Sequence, residues 1–483
     1  MLCLCIGRMP NRSSLVEPNY VSLQSPLQIP VQTSIPAVQR TFNNPRPTSE
    51  RVAEVPKESA TCVPFHVSSP LFQTYFRCIH PIWPVLYRPL YSTLDHTQLL
   101  NTLAPPLVYS ILSLAVLIQD HQLDDHMSKH ELAQQYFDCA LERLRGSALV
   151  VEHSIANCQA LAILALQQHS VGEFSQAGSL CASASYMAIE LSLHRKSQSD
   201  HHVDVQVKSR LWWTVYTLEK MLSCEMSRPV LLRAEEADAP FPSADEPDEF
   251  EFYSESATSG IAMDRERHPL RLRTISAFHT SIRLAMIMEK VSRQVYSVSA
   301  RQHIRDDRQG GEELRLRLWD DVHKYETLLE GSPLKLDNTE NLTSVPVTVT
   351  NYVFMWSTTI LLHRPFVDSW TQNNTEKDVS SSQNDPREIC FSSAQKICST
   401  IQRYAQFIKS LPCDLIFPIF VAANVLLRCW QQTGGQNTEV RLQLDLCVKW
   451  LNGLAKSWKG AESRRNTILE CERILPSNSP VCC

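Results

Sequence analysis

From Pro70 onward, apolar residues recur at three- and four-residue intervals, which places them on one face of an α-helix. Val151, Ile155, Cys158, Ala162 and Ala165 form one such stripe, and Val207, Leu211, Val215, Leu218 and Leu222 form another. Leu314, Leu318, Val322, Tyr325 and Leu329 follow, then Ala394, Ile397, Ile401, Tyr404, Ile408 and Leu411. The last strong stripe is Val440, Leu444, Cys447, Leu451, Ala455 and Trp458. Leu107–Ile118 is apolar on nearly every face, as a buried helix would be. Strict alternation of apolar and polar residues is rare; its clearest patch, Val345–Thr350, is short. The pattern predicts an all-α fold, a large irregular multi-helix domain.

Three interruptions and one flank break the pattern. Residues 1–70 hold 10 of the 28 prolines and a single glycine, with Ser, Gln, Asn and Thr between. Proline removes a helix donor and biases its neighbour to extended forms, so residues 1–69 read as a disordered Pro-rich arm. Residues 70–330 form the main helical region, and residues 331–483 a C-terminal helical part packed on it. Ala234–Asp264 carries ten acidic residues and no Lys or Arg. Gly331–Val347 and Thr371–Arg387 are polar and read as loops. No internal repeat of fixed period is present.

Composition narrows the function. Glycine is 12 of 483 residues, and none falls in a phosphate-cradling G-x-G-x-x-G or G-x-x-x-x-G-K-[ST] arrangement. Nucleotide-binding folds and hairpin-rich barrels are thereby disfavoured. The net charge of −5 gives no basic footprint for nucleic acid. Met1–Gly7 is too short for a secretory signal, and Leu103–Ile118, interrupted by Pro105 and Pro106, is too short to cross a membrane. A soluble protein with reduced thiols and no membrane association is expected.

Candidate catalytic and metal motifs fail on spacing. His130-Glu131 begins like H-E-x-x-H, but Gln134 stands where the second histidine belongs. His201, His202 and Asp204 fall together in a polar stretch that reads as an exposed loop. Asp124-Asp125 and Asp320-Asp321 lack the third carboxylate that the magnesium site of an all-α terpene cyclase needs. The sixteen cysteines contain no C-x2-C pair, and many sit in apolar stripes, where a thiol packs as a small hydrophobe. Cys482-Cys483 lack the prenylation arrangement. No catalytic, cofactor-binding or metal-binding residue is assigned, and no enzyme activity is expected.

Four motifs in order carry a family resemblance. The first is Leu71-Phe72-Gln73-Thr74-Tyr75-Phe76-Arg77-Cys78-Ile79-His80-Pro81-Ile82-Trp83-Pro84-Val85-Leu86, an aromatic-anchored helix stopped by His-Pro. The second is Ala188-Ile189-Glu190-Leu191-Ser192-Leu193-His194-Arg195. The third runs Arg210-Leu211-Trp212-Trp213-Thr214-Val215-Tyr216-Thr217-Leu218-Glu219-Lys220 and closes at Ser227-Arg228-Pro229. The fourth is Leu362-His363-Arg364-Pro365-Phe366. Together they resemble the middle homology region of fungal zinc-cluster transcription factors, placed at residues 70–330. Ser192 and Ser227 stand where that family has glycine, a change expected to relax or reshape two helix ends. Trp212, Trp213, His194, Arg228 and His363 read as core or capping residues rather than ligand contacts. Asp238-Ala239-Pro240-Phe241-Pro242 resembles the stretch that follows Gly-Arg-Pro in the family, so the acidic segment reads as a structured loop rather than an activation tail.

The resemblance implies a nuclear transcriptional regulator of a metabolic or secondary-metabolite gene set. It also implies a zinc-binding six-cysteine cluster that reads DNA, followed by a coiled coil. Cys3, Cys5 and Cys62 cannot build that cluster, so no cofactor is expected here and DNA is expected to be reached only indirectly. Expected partners are transcriptional coregulators or a full-length zinc-cluster factor, in a homo- or heterodimer, with a small-molecule effector between helices. The alternatives are a non-DNA-binding, sequestering partner of a full-length regulator, and an all-α enzyme such as a cyclase.

Overall fold

The computed structural model describes residues 63–119, 127–145, 151–196, 201–252, 271–336, 345–367, 384–404 and 413–474. The arm expected at 1–69 therefore lies almost wholly outside the described residues. Fifteen α-helices occur among them: α1 (Phe65–Thr74), α2 (His96–Thr102), α3 (Pro105–Ile118), α4 (Lys129–Arg145), α5 (Ile155–Val171), α6 (Phe174–Glu190), α7 (His202–Met226), α8 (Thr274–Val291), α9 (Val298–Asp306), α10 (Arg308–Glu330), α11 (Val345–His363), α12 (Pro386–Arg403), α13 (Ile416–Gln432), α14 (Thr438–Leu454) and α15 (Lys459–Ile474). A short antiparallel ribbon joins β1 (Phe250–Phe252) to β2 (Arg271–Arg273), with Phe250 opposite Arg273. The all-α expectation holds.

Local chemistry sets the helix ends. Asp95 and Gln98 form a reciprocal capping box at α2. Ser154, Asp307 and Asn437 accept backbone N–H bonds at the starts of α5, α10 and α14. Pro105 and Pro106, read from sequence as an interruption, instead open α3, where the missing donor is an orphan anyway. Pro70 lies inside α1, which begins at Phe65, within the stretch expected to be arm. Burial of Leu71 and Phe72 and the Ser68 hydroxyl's bond to His96 (2.7 Å) hold the helix across it. Val345–Thr350, the clearest strand pattern, is the first turn and a half of α11. Thr348 and Thr350 are buried with Val347 and Val349, so polar alternation there does not mark a solvent face.

Packing proceeds mostly between sequence neighbours: α3 on α4, α5 on α6, α6 on α7, α11 on α12, α13 on α14. One hydrophobic core runs continuously from Leu71 to Ile468. Cys413–Gln432 is long and apolar enough for a bilayer, but 78% of that window is buried inside the protein, as a core helix requires. Glycine is used where backbones meet. Gly172 caps α5 at φ 88°, and a Cβ there would lie 3.1 Å from Cα of Gly460 in α15. This contact seats the last helix on the end of α5, beside the polar cluster described next.

Candidate functional site

α7 is buried on nearly every face from Gln206 to Ser223, yet it carries Arg210, Glu219, Lys220 and Glu225, all buried. A buried charge needs a partner. The partners define two polar seams, one along the body of α7 and one at its C-terminal end.

The first seam fastens the acidic segment. Arg210 grips Asp248 with two bonds of 2.5 and 2.9 Å, and its guanidinium lies 4.8 Å over the Tyr87 ring. The Tyr87 hydroxyl donates to Glu246 (2.6 Å), whose other oxygen pairs with His202 at 2.5 Å. The Trp213 indole donates to the Pro240 carbonyl (2.9 Å). Glu249 accepts the backbone N–H groups of Ile275 and Ser276 at 2.8 and 2.9 Å, a negative charge on the start of α8. Glu219 accepts from the Ser223 hydroxyl and the Leu231 backbone, while Lys220 bonds Glu219 and the Leu232 carbonyl. Tyr216 donates to Glu289 (2.6 Å), which also accepts from the Ala234 backbone. Burial and the Glu289 bond hold the Tyr216 hydroxyl far above its ordinary pKa. The acidic segment is thus a structured strap as far as Phe252; residues 253–264 lie outside the described residues.

The family motifs turn out to be architectural. Ser192 (φ 54°) and Ser227 (φ 52°) are left-handed, the two such non-glycine positions among the described residues. The bonds from Leu193 N to Ala188 O (3.0 Å) and from Arg228 N to Ser223 O (2.9 Å) close both helix ends. The serines have not reshaped the ends; they hold the turn glycine would, at a conformational cost. His194 uses its carbonyl to take the backbone N–H groups of Asp238 and Ala239. Trp212 and Trp213 are core. Arg228 is exposed, its side chain lying over Gly178 of α6, where a Cβ would come within 2.6 Å. His80 bonds the Leu86 carbonyl (3.1 Å). His363 pairs through Nδ1 with Arg315 at 2.7 Å; burial and that cation push its pKa down to about 3.

The second seam gathers residues that are distant in sequence. At the end of α7, Glu225 pairs with His169 Nε2 of α5 (2.6 Å) and with Arg464 of α15 (2.7 Å), 239 residues away. Burial opposes the charge on Glu225, but His169 and Arg464 bring its pKa down to about 2. Burial likewise opposes protonation of His169, yet Glu225 carries its pKa above the usual value. Arg464 lies 4.6 and 4.7 Å over the Phe174 and Phe420 rings. Asp414, just ahead of α13, accepts from the Trp83 indole of the first motif (2.9 Å), and burial lifts its carboxyl to about 6. Burial also pushes the neighbouring Cys413 thiol well up. His169, Cys413 and Asp414 each offer a ligand atom within 4.8 Å of the others.

The residues weighed from sequence behave as protein surface. His130 is half-buried in the first turn of α4. His201 and Asp204 are exposed at the start of α7, and His202 is committed to Glu246. Asp320 pairs with Lys324 (2.5 Å) and Asp321 with Lys290 (2.8 Å). Asp124 and Asp125 lie outside the described residues. Eleven cysteines among the described residues are free thiols, six of them buried. Sequence reading missed the Arg210–Asp248 pair and the whole second seam. The available signal was weak: single charged or imidazole groups set in otherwise apolar helices.

A family model, the fungal specific transcription factor domain, matches residues 72–343. The lactose regulatory protein LAC9 of Kluyveromyces lactis is 28% identical over 177 residues. That alignment covers 36% of this chain and 20% of LAC9, so the chain matches about a fifth of that relative's length. No solved structure matches.

Proposed function

The chain belongs to the family of the fungal specific transcription factor domain, and from that premise we propose that it is a nuclear regulator of a metabolic gene set. The observation that carries the reading is the family match across residues 72–343, the segment that holds the first three motifs from Phe72 on, with α7 among them. The similarity to a lactose regulatory protein supports a metabolic target set. In this reading the helical domain sets activity through contacts with coregulators, with a full-length zinc-cluster factor in a homo- or heterodimer, or with a small-molecule effector. Any such ligand acts by favouring one arrangement of the domain over another. The strap is the segment to watch, because Glu246, Asp248 and Glu249 are turned inward onto α7 and α8 and are withheld from a partner.

The test is an endogenously tagged strain beside a deletion strain. The reading expects nuclear signal, a coherent change in metabolic transcripts on deletion, and recovery of a transcription factor or coactivator by immunoprecipitation. A cytoplasmic protein whose deletion leaves the transcriptome unchanged would contradict it. Loss of a metabolite with normal transcripts would point instead to an enzyme.

A further inference from the structure

We propose that His169, Cys413 and Asp414 form a buried site for a zinc-class divalent cation, joining the family domain to the C-terminal helices. Three observations converge on it.

The first is available donor atoms. His169 Nε2 is committed to Glu225 and Asp414 Oδ2 to the Trp83 indole. Their other atoms, His169 Nδ1 and Asp414 Oδ1, are buried without a hydrogen-bond partner. Leaving a buried polar atom unpaired is costly, so one on each of two neighbouring side chains calls for a missing partner. Cys413, at 4% exposed, supplies a thiol to the same spot. One ligand atom from each of the three residues, a ring nitrogen, the thiol sulfur and a carboxylate oxygen, lies within 4.8 Å of the others. Around a tetrahedral zinc ion with bonds of about 2.0–2.3 Å, ligand atoms stand roughly 3.3–3.8 Å apart. Binding therefore needs the ligand atoms to draw together by up to about 1–1.5 Å.

The second is the supporting shell. A metal-bound histidine characteristically donates its far ring N–H to a carboxylate, which fixes the tautomer and frees the other nitrogen. Glu225 stands in that position on His169. Trp83 orients Asp414 in the same way, and Arg464 balances the charge of Glu225.

The third is charge and softness. With Glu225 and Arg464 offsetting each other, a neutral imidazole, a thiolate and a carboxylate carry two negative charges. A divalent cation neutralises them in the protein interior. One sulfur, one nitrogen and one oxygen suit zinc rather than magnesium or calcium, which want oxygen alone. Binding sends the Cys413 thiol proton to solvent, together with the Nδ1 proton of His169 where the imidazole is charged, while the Nε2 proton stays in its bond to Glu225. The three protein ligands leave a fourth position to a water molecule. The ligands come from α5 and from the turn before α13, so the ion bridges residues inside and beyond the matched 72–343 segment.

The experiment uses the full chain, produced without a histidine tag in zinc-containing medium and dialysed against zinc-free buffer, with metal content read by mass spectrometry. About one zinc per chain is expected. Cys413→Ala should lose at least nine-tenths of it while keeping the wild-type helical circular dichroism. Asp414→Asn keeps the shape and the oxygen that accepts from Trp83, and should lower zinc affinity at least tenfold. Cobalt exchanged into the wild type should show a thiolate-to-cobalt charge-transfer band that Cys413→Ala abolishes. Zinc below a tenth of an equivalent in the wild type would overturn the proposal, leaving an internal water to bridge Nδ1 and Oδ1. Equal zinc in wild type and both variants would overturn it too, by placing the metal on other cysteines.

Discussion

The two ends of α7 solve the same problem differently. Near its start, Arg210 is wholly buried and meets one fixed carboxylate, Asp248, through two parallel bonds. Near its end, Glu225 is equally buried but is shared between His169 and Arg464. The first arrangement is local in the family domain and ties down the acidic strap. The second reaches 239 residues along the chain to α15. A bidentate pair specifies one geometry, whereas a shared carboxylate holds together elements from different parts of the sequence. The two ends also differ in which groups go unpaired: Arg210 Nε is the open atom of the first pair. The strap's carboxylates Asp248 and Glu249 have their oxygens bonded, while the second seam leaves His169 Nδ1 and Asp414 Oδ1 open.

Truncation at the two ends should differ in size. Arg210→Ala strands the Asp248 carboxylate in the interior and empties a large volume, so it should cost about 3–5 kcal/mol in urea denaturation. Glu225→Ala should cost less, about 2–3 kcal/mol, because His169 can shed its proton and Arg464 retains some water contact, at 13% exposed. Equal losses would show that the shared carboxylate is as tightly specified as the bidentate pair.

A contrast between histidines sharpens the same point. His169 faces a carboxylate, whereas His363 faces the Arg315 cation and is held neutral, its pKa depressed to about 3. Because the native value lies below the unfolded 6.5, the unfolded chain binds the proton first. The stability tied to neutral His363 is therefore complete above about pH 6.5 and is lost progressively as pH falls towards 3. Between pH 7 and pH 5 it should amount to about 2 kcal/mol. His363→Gln, with an oxygen for Arg315 and no titrating group, should flatten this part of the curve.

The smallest expected effect is a gain. Ser192→Gly and Ser227→Gly relieve positive φ at two helix ends and should each raise stability by about 0.5–1 kcal/mol. Ser227→Ala, which keeps a Cβ, should give none of it. Thermal melts of the single and double variants, 35 positions apart and expected to be additive, would check this.

The helical fold was legible because most helices are longer than three turns and carry a buried stripe; the stripes from Val207 and Leu314 lie in α7 and α10. The strap was half legible: the Asp238–Pro242 resemblance pointed to structure, but nothing in a run of ten acidic residues says which of them finds Arg210. The alternation at Val345–Thr350 does not mark a strand, because Val347, Thr348, Val349 and Thr350 are all buried at the start of α11. The second seam was illegible. His169 closes an apolar helix, and Cys413 and Asp414 look like a helix start, so only the tertiary fold brings them together. The departure of Ser192 and Ser227 from glycine was visible, and the fold shows that backbone geometry outweighed side-chain preference.

The central claim is that α7 fastens the family domain and the C-terminal helices into one cooperative unit through Glu225. Hydrogen exchange along a urea series, read peptide by peptide, tests it directly. The account predicts that α15 (Lys459–Ile474) loses protection at the same denaturant concentration as α5 and α7, and that Glu225→Ala separates them. Early opening of α13 to α15 in the wild type, with α5 and α7 still protected, would contradict it.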